Sequence, residues 1–375
     1  MFDITTLIIY NGLLGIIMLL LWSKTRNSIS TGDKILDIYN RISVQEIIIL
    51  IFISIIVGFR NNVGVDWPAY KDYFQQFKLY VNFSFEQQHM EIGYYTLNSI
   101  VDFFGGGYTL VFAIAGLISW VFILKSFPIK LLPITFFFIF CDGYFFWSMN
   151  GVRQFIAIGI FAYAVKFILK RKLKKYVIFI LIASLFHQSV LLLLPFYFIP
   201  YQKLYNQKIW ALALLFSFIL AKTPFITKGF VMIITAGAEY IPLLNAYVHY
   251  FETQYYEVAQ LEGSGLGYIF RVLIAFTLLY FSKSIIKKYP QTQTYFILFF
   301  IGTVIYNLFF MLQIVGRFTT YFIFFRSYLL AILVYYLYKK KLNIYNIVLC
   351  LLYFILFLTD IYNAANECCP YGFSY

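Results

Sequence analysis

Twelve long apolar runs dominate this chain, at residues 4–22, 44–59, 108–124, 131–147, 152–169, 176–199, 209–221, 230–244, 266–281, 295–312, 318–338 and 344–361. A helix needs about 20 mostly apolar residues to cross a hydrocarbon layer roughly 30 Å thick, and no other open structure satisfies its backbone there. With 375 residues, 62% hydrophobic and only 12% charged, the sequence has room for these spans and for no sizeable soluble domain. The implied fold class is all-α: a polytopic integral membrane protein with about 12 transmembrane helices, residues 1–375 forming a single transmembrane domain. Runs 44–59, 209–221 and 230–244 are short for full spans. Run 4–22 lacks a basic leader and a small-residue cleavage site, so it reads as a retained first helix.

The formal net charge of +13 invites a nucleic-acid partner, but its distribution points elsewhere. If the spans alternate, 20 of the 29 basic residues fall on one side, with Lys24, Lys125, Lys130, Lys170 to Lys172, Lys287 and Lys339 to Lys341 among them. Only Asp33, Asp37 and Glu46 accompany them. That side is cytoplasmic by the positive-inside rule, so the charge is orientation and nucleic acid is excluded. Four cysteines, Cys141, Cys350, Cys368 and Cys369, form neither a disulfide framework nor a metal-site spacing.

The extracytoplasmic side then receives the loop 60–107, the turn at Asn150 to Arg153, a short loop near 200–208, the loop 245–265, the turn at Val315 to Arg317 and the tail. In the first loop, Glu91 to Phe104 has helical spacing but is too short to span, and reads as an interfacial helix. The loop 245–265 sets Tyr247, Tyr250, Tyr255 and Tyr256 beside Glu252, Glu257 and Glu262, a composition that carbohydrate meets and that membrane interfaces also share.

Three arginines stand where spans meet this side: Arg60 after the second run, Arg153 opening the fifth and Arg317 opening the eleventh. Helix N-termini add free N–H groups and positive potential, which makes such positions anion sites. At an effective dielectric near 20, a guanidinium about 4 Å from a phosphate charge contributes on the order of 4 kcal/mol before desolvation, so two or three of them hold a diphosphate. Arg271 and Arg326 lie deeper in their runs. Asp66, six residues after Arg60, is a carboxylate able to take a proton from a sugar hydroxyl. His187 sits in the middle of run 176–199, either as a satisfied helix contact or as a phosphate donor or proton relay. The competing reading makes the arginines interfacial anchors, Asp66 a turn former before Pro68 and Glu91 a helix N-terminal charge.

Five blocks in order, GFRNNVGVDWPAYKDYF, MEIGY, NGVRQFIAIGI, SLFHQSVLLLLPF and GRFTTYF, resemble the EpsG-like branch of the Wzy-type polysaccharide polymerases, over about residues 55–330. The resemblance implies an architecture related to the membrane-embedded GT-C glycosyltransferases. It also implies polymerisation of O-antigen, capsule or exopolysaccharide repeat units carried on undecaprenyl diphosphate, at the outer face of the bacterial inner membrane. Onto matching positions it carries Arg60, Asp66, Tyr70, Glu91, Arg153, His187, Arg317 and Tyr321. In that scheme Arg153 and Arg317 hold the donor diphosphate, and Arg60 holds diphosphate or orients Asp66. Asp66 is the general base with Glu91 as its alternate, His187 donates to diphosphate or relays a proton, and Tyr70 and Tyr321 contact substrate. Implied partners are the lipid-linked oligosaccharide and the bilayer, with a chain-length regulator and a flippase as candidates. No cofactor or metal is implied, and with neither an Asp-x-Asp pair for a metal-nucleotide complex nor a Gly-rich phosphate loop, a nucleotide sugar is not the expected donor. The competing functions are a lipid-linked oligosaccharide flippase, a ligase and an O-acyltransferase.

Overall fold

The computed structural model describes residues 3–30, 42–79, 90–221, 225–238, 266–309 and 312–373, with single positions 223, 240 and 248. Regular structure among them is helical: α1 Ile4–Ser30, α2 Val44–Gly58, α3 Trp67–Leu79, α4 Ile92–Phe103, α5 Tyr108–Leu124, α6 Leu132–Cys141, α7 Tyr144–Asn150, α8 Val152–Leu169 and α9 Leu173–Ser184. There follow a 3-10 helix Gln188–Phe198, then α10 Tyr201–Leu204, α11 Gln207–Leu220, α12 Phe225–Ala238, α13 Leu266–Lys288, α14 Gln293–Leu308, α15 Gln313–Ile323, α16 Phe325–Lys339 and α17 Asn343–Tyr362. Five stretches among the described residues are long and apolar enough to cross a membrane, Ile4–Arg26, Val152–Leu169, Gly267–Lys288, Ile314–Lys339 and Asn343–Tyr362. A sixth candidate, Tyr108–Leu124 with Ile129–Cys141, bends by 110° at its break. The chain is a polytopic, all-helical membrane protein. Several of the twelve apolar runs are shorter helices: α2, with 15 residues, covers only about 22 Å at about 1.5 Å per residue.

Contacts divide the chain into two compact units, Met1–Phe198 with Leu330–Tyr375, and Ile199–Leu329. In the first, α2 packs on α5, α5 on α8 and α8 on α9. Small residues permit the close approaches: a Cβ on Gly159 of α8 would sit 2.7 Å from the Ser119 carbonyl oxygen of α5. Trp120 of α5 is fully buried among Phe136, Phe140, Phe145 and Phe155. At one end of α2, Ser43 and Glu46 form a capping box. Glu46 also pairs with Lys24 at 2.7 Å and Lys125 at 3.1 Å. The other end of α2 leads into Arg60.

Run 176–199, expected to cross once, doubles back. Tyr176, near the start of α9, donates its hydroxyl to the Leu193 carbonyl at 2.7 Å, and its ring lies 5.5 Å from that of Tyr197. The chain therefore ascends α9, turns at Leu185 to His187 and descends the 3-10 helix, with His187 at the apex. Twelve α-helical residues reach about 18 Å, too short for a crossing, and Pro195 inside the returning leg denies it one helical N–H.

In the second unit Asn206 caps α11 by accepting from Lys208 N and Ile209 N. The Tyr205 and Ser282 hydroxyls lie 2.6 Å apart, Gln207 donates to the Leu279 carbonyl at 2.8 Å, and Gln293 donates to the Tyr201 carbonyl at 2.7 Å. Residues 200–208 thus lie at the end of α13 that carries Lys283, Lys287 and Lys288. The other end of that unit brings Asn307 within 3.0 Å of the Ser217 hydroxyl and lets the Tyr268 hydroxyl donate to the Phe218 carbonyl. The loop near 200–208, expected opposite the lysines, is corrected to their side by these contacts.

Candidate active site

Arg60 follows α2 and is fully buried. Its Nε donates to the Val63 carbonyl at 3.1 Å, Nη2 to the Met149 carbonyl at 2.7 Å and Nη1 to the Val57 carbonyl. The guanidinium carbon lies 4.1 Å from the centre of the Phe112 ring. A guanidinium so enclosed braces backbone, and the expectation that Arg60 faces a diphosphate gives way to that role. The loop it braces turns through Gly64 at φ +101°, where a Cβ would also meet Asn150 Oδ1 at 2.9 Å. Asn150 ties the loop to the tail: Oδ1 accepts from Asp66 N at 3.4 Å, and Nδ2 donates to the Asn366 carbonyl at 3.2 Å. The tail straps the same loop, since Asn61 N donates to the Gly372 carbonyl at 2.7 Å and Gly64 N to the Glu367 carbonyl at 2.8 Å.

Loop 60–107 contains two helices where one was expected. In α3, Trp67, Tyr70, Tyr73 and Phe74 are buried, a spacing that lines one face of a helix. Asp66 immediately precedes α3, is half-buried, and its carbonyl accepts from Tyr70 N at 3.2 Å. Helical spacing puts it one turn from Tyr70. Tyr70 packs 5.4 Å from the Tyr94 ring and 6.0 Å from that of Phe112.

Glu91 is the N-cap residue of α4 by position, but its side chain makes no capping bond. Instead one carboxylate oxygen pairs with Arg153 Nη1 at the start of α8, and the other lies 3.1 Å from His187 Nδ1 and 3.4 Å from Gln188 N. Arg153 Nε reaches the Tyr70 hydroxyl at 3.5 Å. The backbone locks the apex to α4, Gly93 N donating to the Leu185 carbonyl at 2.7 Å. Arg153 and His187 side chains remain 25% exposed and Glu91 12%, so the cluster opens outward. Burial opposes ionisation of Glu91, but the His187 hydrogen bond and the Arg153 charge prevail and hold its pKa below the ordinary carboxylate value.

This geometry assigns chemical roles. A carboxylate held below its usual range, with both oxygens engaged, is a weak base and a good orienting group. An ionised carboxylate only accepts, so His187 Nδ1 donates to Glu91, and in the neutral imidazole Nε2 is the acceptor. Neither His187 Nε2 nor Arg153 Nη2 has a hydrogen-bond partner among the described residues. The sequence named Arg153, Glu91, His187 and Tyr70 separately, and the fold brings all four together. Asn150 was missed as a site-loop residue, although it stands in the block NGVRQFIAIGI.

Arg317 and Tyr321 belong to the second unit, on α15. Arg317 is exposed, whereas Tyr321 is fully buried with its ring 6.4 Å from that of Phe318. Tyr321, expected to contact substrate, packs the interior of its unit instead. Arg271 of α13 donates to the Tyr306 hydroxyl at 2.7 Å, and a Cβ on Gly316 would lie 3.8 Å from the same ring. The start of α15 and Arg271 therefore share Tyr306. Apart from position 248, the aromatic and acidic stretch 245–265 lies outside the described residues.

No curated protein and no solved structure matches the chain. The sequence profile of the EpsG family matches residues 44–373, which take in α2, the arginine-braced loop, the Glu91 cluster, the hairpin apex and the terminal strap. With nearly its whole length matched, the chain belongs to the EpsG family.

Proposed function

We propose that this protein is a glycosyltransferase that polymerises oligosaccharide repeat units carried on undecaprenyl diphosphate, working at the extracytoplasmic face of the bacterial inner membrane. Membership of the EpsG family points to a polysaccharide polymerase. The observation that carries the reading is the bridge that Glu91 makes between Arg153 and His187, groups from three distant segments. A cation beside an oriented imidazole suits a reaction with an anionic leaving group and a hydroxyl nucleophile.

A terminal sugar hydroxyl of one lipid-linked unit attacks the anomeric carbon of another. The new bond joins that oxygen to the anomeric carbon, the bond from the carbon to the diphosphate oxygen breaks, and undecaprenyl diphosphate departs with the bonding pair. His187 Nε2 takes the hydroxyl proton while Glu91 stabilises the imidazolium that forms, and Arg153 meets the charge growing on the diphosphate. Asp66, one turn before Tyr70, orients the acceptor. The lysine-rich ends of the helices support the assignment of faces.

The test is a reconstitution of purified protein with a defined diphosphate-linked repeat unit and no nucleotide sugar. A ladder of polymer is expected, reduced about 10²- to 10³-fold in Arg153→Ala and about 10²- to 10⁴-fold in His187→Ala. In cells both variants should leave single repeats on the carrier at the outer face. Repeats stranded on the inner face would indicate a flippase, and normal polymer left on the carrier a ligase.

A further inference from the structure

One side chain of the first unit, Tyr70 of α3, meets three other helices and touches the charged cluster directly. It is only 7% exposed, and its ring lies 5.4 Å from that of Tyr94 on α4 and 6.0 Å from that of Phe112 on α5. Its hydroxyl accepts from Arg153 Nε on α8 at 3.5 Å. We infer that Tyr70 is a positioning residue for the transfer: by holding Nε it fixes the plane of the Arg153 guanidinium, so that Nη2 is presented to the departing diphosphate. This role rests on the glycosyl transfer proposed above and adds to it the group that aims its cation.

A guanidinium is a planar fork on a flexible stem, with about 2 kcal/mol of rotamer freedom to lose. Glu91 holds that of Arg153 at Nη1, and a single contact leaves the plane free to swing about it. A second contact, at Nε, stops the swing. Packing alone does not, since the Arg153 side chain remains 25% exposed. Tyr70 is suited to the task because its own place is fixed from several directions. It is buried together with Trp67, Tyr73 and Phe74 along α3, the Tyr73 ring lies 6.4 Å from the same Tyr94 ring, and Phe112 is covered by the Arg60 guanidinium carbon at 4.1 Å. A phenol has only two side-chain torsions, so little entropy is lost in aiming its oxygen. The two anchors of Arg153 are also seated on one another. Tyr94, against which Tyr70 packs, lies in the first turn of the helix that Glu91 precedes, and its N donates to the Glu91 carbonyl at 3.1 Å. With its ring enclosed in this way, Tyr70 reaches substrate through Arg153.

The experiment is a double-mutant cycle in the full-length protein, reconstituted with a defined undecaprenyl-diphosphate-linked repeat unit, with kcat, KM and melting temperature measured for each variant. Tyr70→Phe removes the hydroxyl and keeps the packed ring. It should melt near the wild type, lower kcat about tenfold to 10²-fold and leave KM within about twofold. Arg153→Lys keeps a cation but has no planar fork to aim, so adding Tyr70→Phe to it should change kcat by less than about twofold. Wild-type kcat in Tyr70→Phe, a loss of rate that follows a loss of melting temperature, or the same fold-loss with and without Arg153→Lys would each overturn the role of Tyr70. A wild-type protein that forms no ladder would overturn the glycosyl transfer itself, and the role of Tyr70 with it.

Discussion

Arg60 and Arg153 carry the same guanidinium on the same unit, and burial gives them opposite tasks. All three hydrogen bonds of Arg60 end on main-chain carbonyls in a fully enclosed position, so Arg60→Met should lower stability by about 1–3 kcal/mol for each buried carbonyl left without a donor. Thermal melting in detergent should show that loss, while Arg153→Met, at a partly exposed pair, should lose less stability than Arg60→Met and fail to elongate polymer. Glu91 adds a pH signature. Its folded-state pKa is depressed, so its stabilising contribution is whole above the ordinary value of about 4.3 and fades only as pH falls through the lowered one. The melting difference between wild type and Glu91→Gln should therefore be constant near neutrality and shrink below about pH 4. Residue identity was legible in the sequence: Glu91, Arg153 and His187 are conspicuous polar groups in an apolar chain. The role of Arg60 was not, because whether an arginine's donors end on substrate or on backbone depends on partners up to 89 positions away, as with Met149.

Among the elements, the hairpin of α9 and the 3-10 helix decides whether the site forms. Its apex rests against α4 at Gly93, where a Cβ would lie 2.6 Å from the Leu185 carbonyl oxygen. By helix propensity alone Gly93→Ala should stabilise α4 by up to about 1 kcal/mol, yet it should push the apex away and reduce polymer formation at least about tenfold, since a displacement near 1 Å is enough to misplace a catalytic group. A ladder assay beside a melting curve separates the two effects. Run 176–199 was legible as apolar and helical but not as reversed, because hydropathy carries no direction. The short α9 and Pro195 were the available signals. Helix α3 was hidden for another reason: its buried face is mostly Tyr and Trp, and polar residues interrupt it, so it does not read as an apolar stripe.

At the scale of the whole molecule, the membrane class followed from composition, while the path of the chain through the membrane did not. Counting alternate crossings put residues 200–208 opposite Lys287, and the contacts of Tyr205 and Gln207 put them beside it. Single cysteines at Lys203 and Lys287 should accordingly react with a membrane-impermeant maleimide from the same face of sealed vesicles. Labelling from opposite faces would restore the single crossing through His187.

The strap beneath the Arg60 loop also has a bearing on biogenesis. Asn61 and Gly64 are fastened by Gly372 and Glu367, and Tyr371 is in turn held by Thr6 and by the Ile56 carbonyl. At about 5–20 residues per second a ribosome needs about 15–60 s to travel from the loop to the residues that secure it. For that interval the nascent protein has its early spans made but the loop of Arg60 and Asp66 unlatched, and that loop takes its fixed shape only once residues 367–372 have been added.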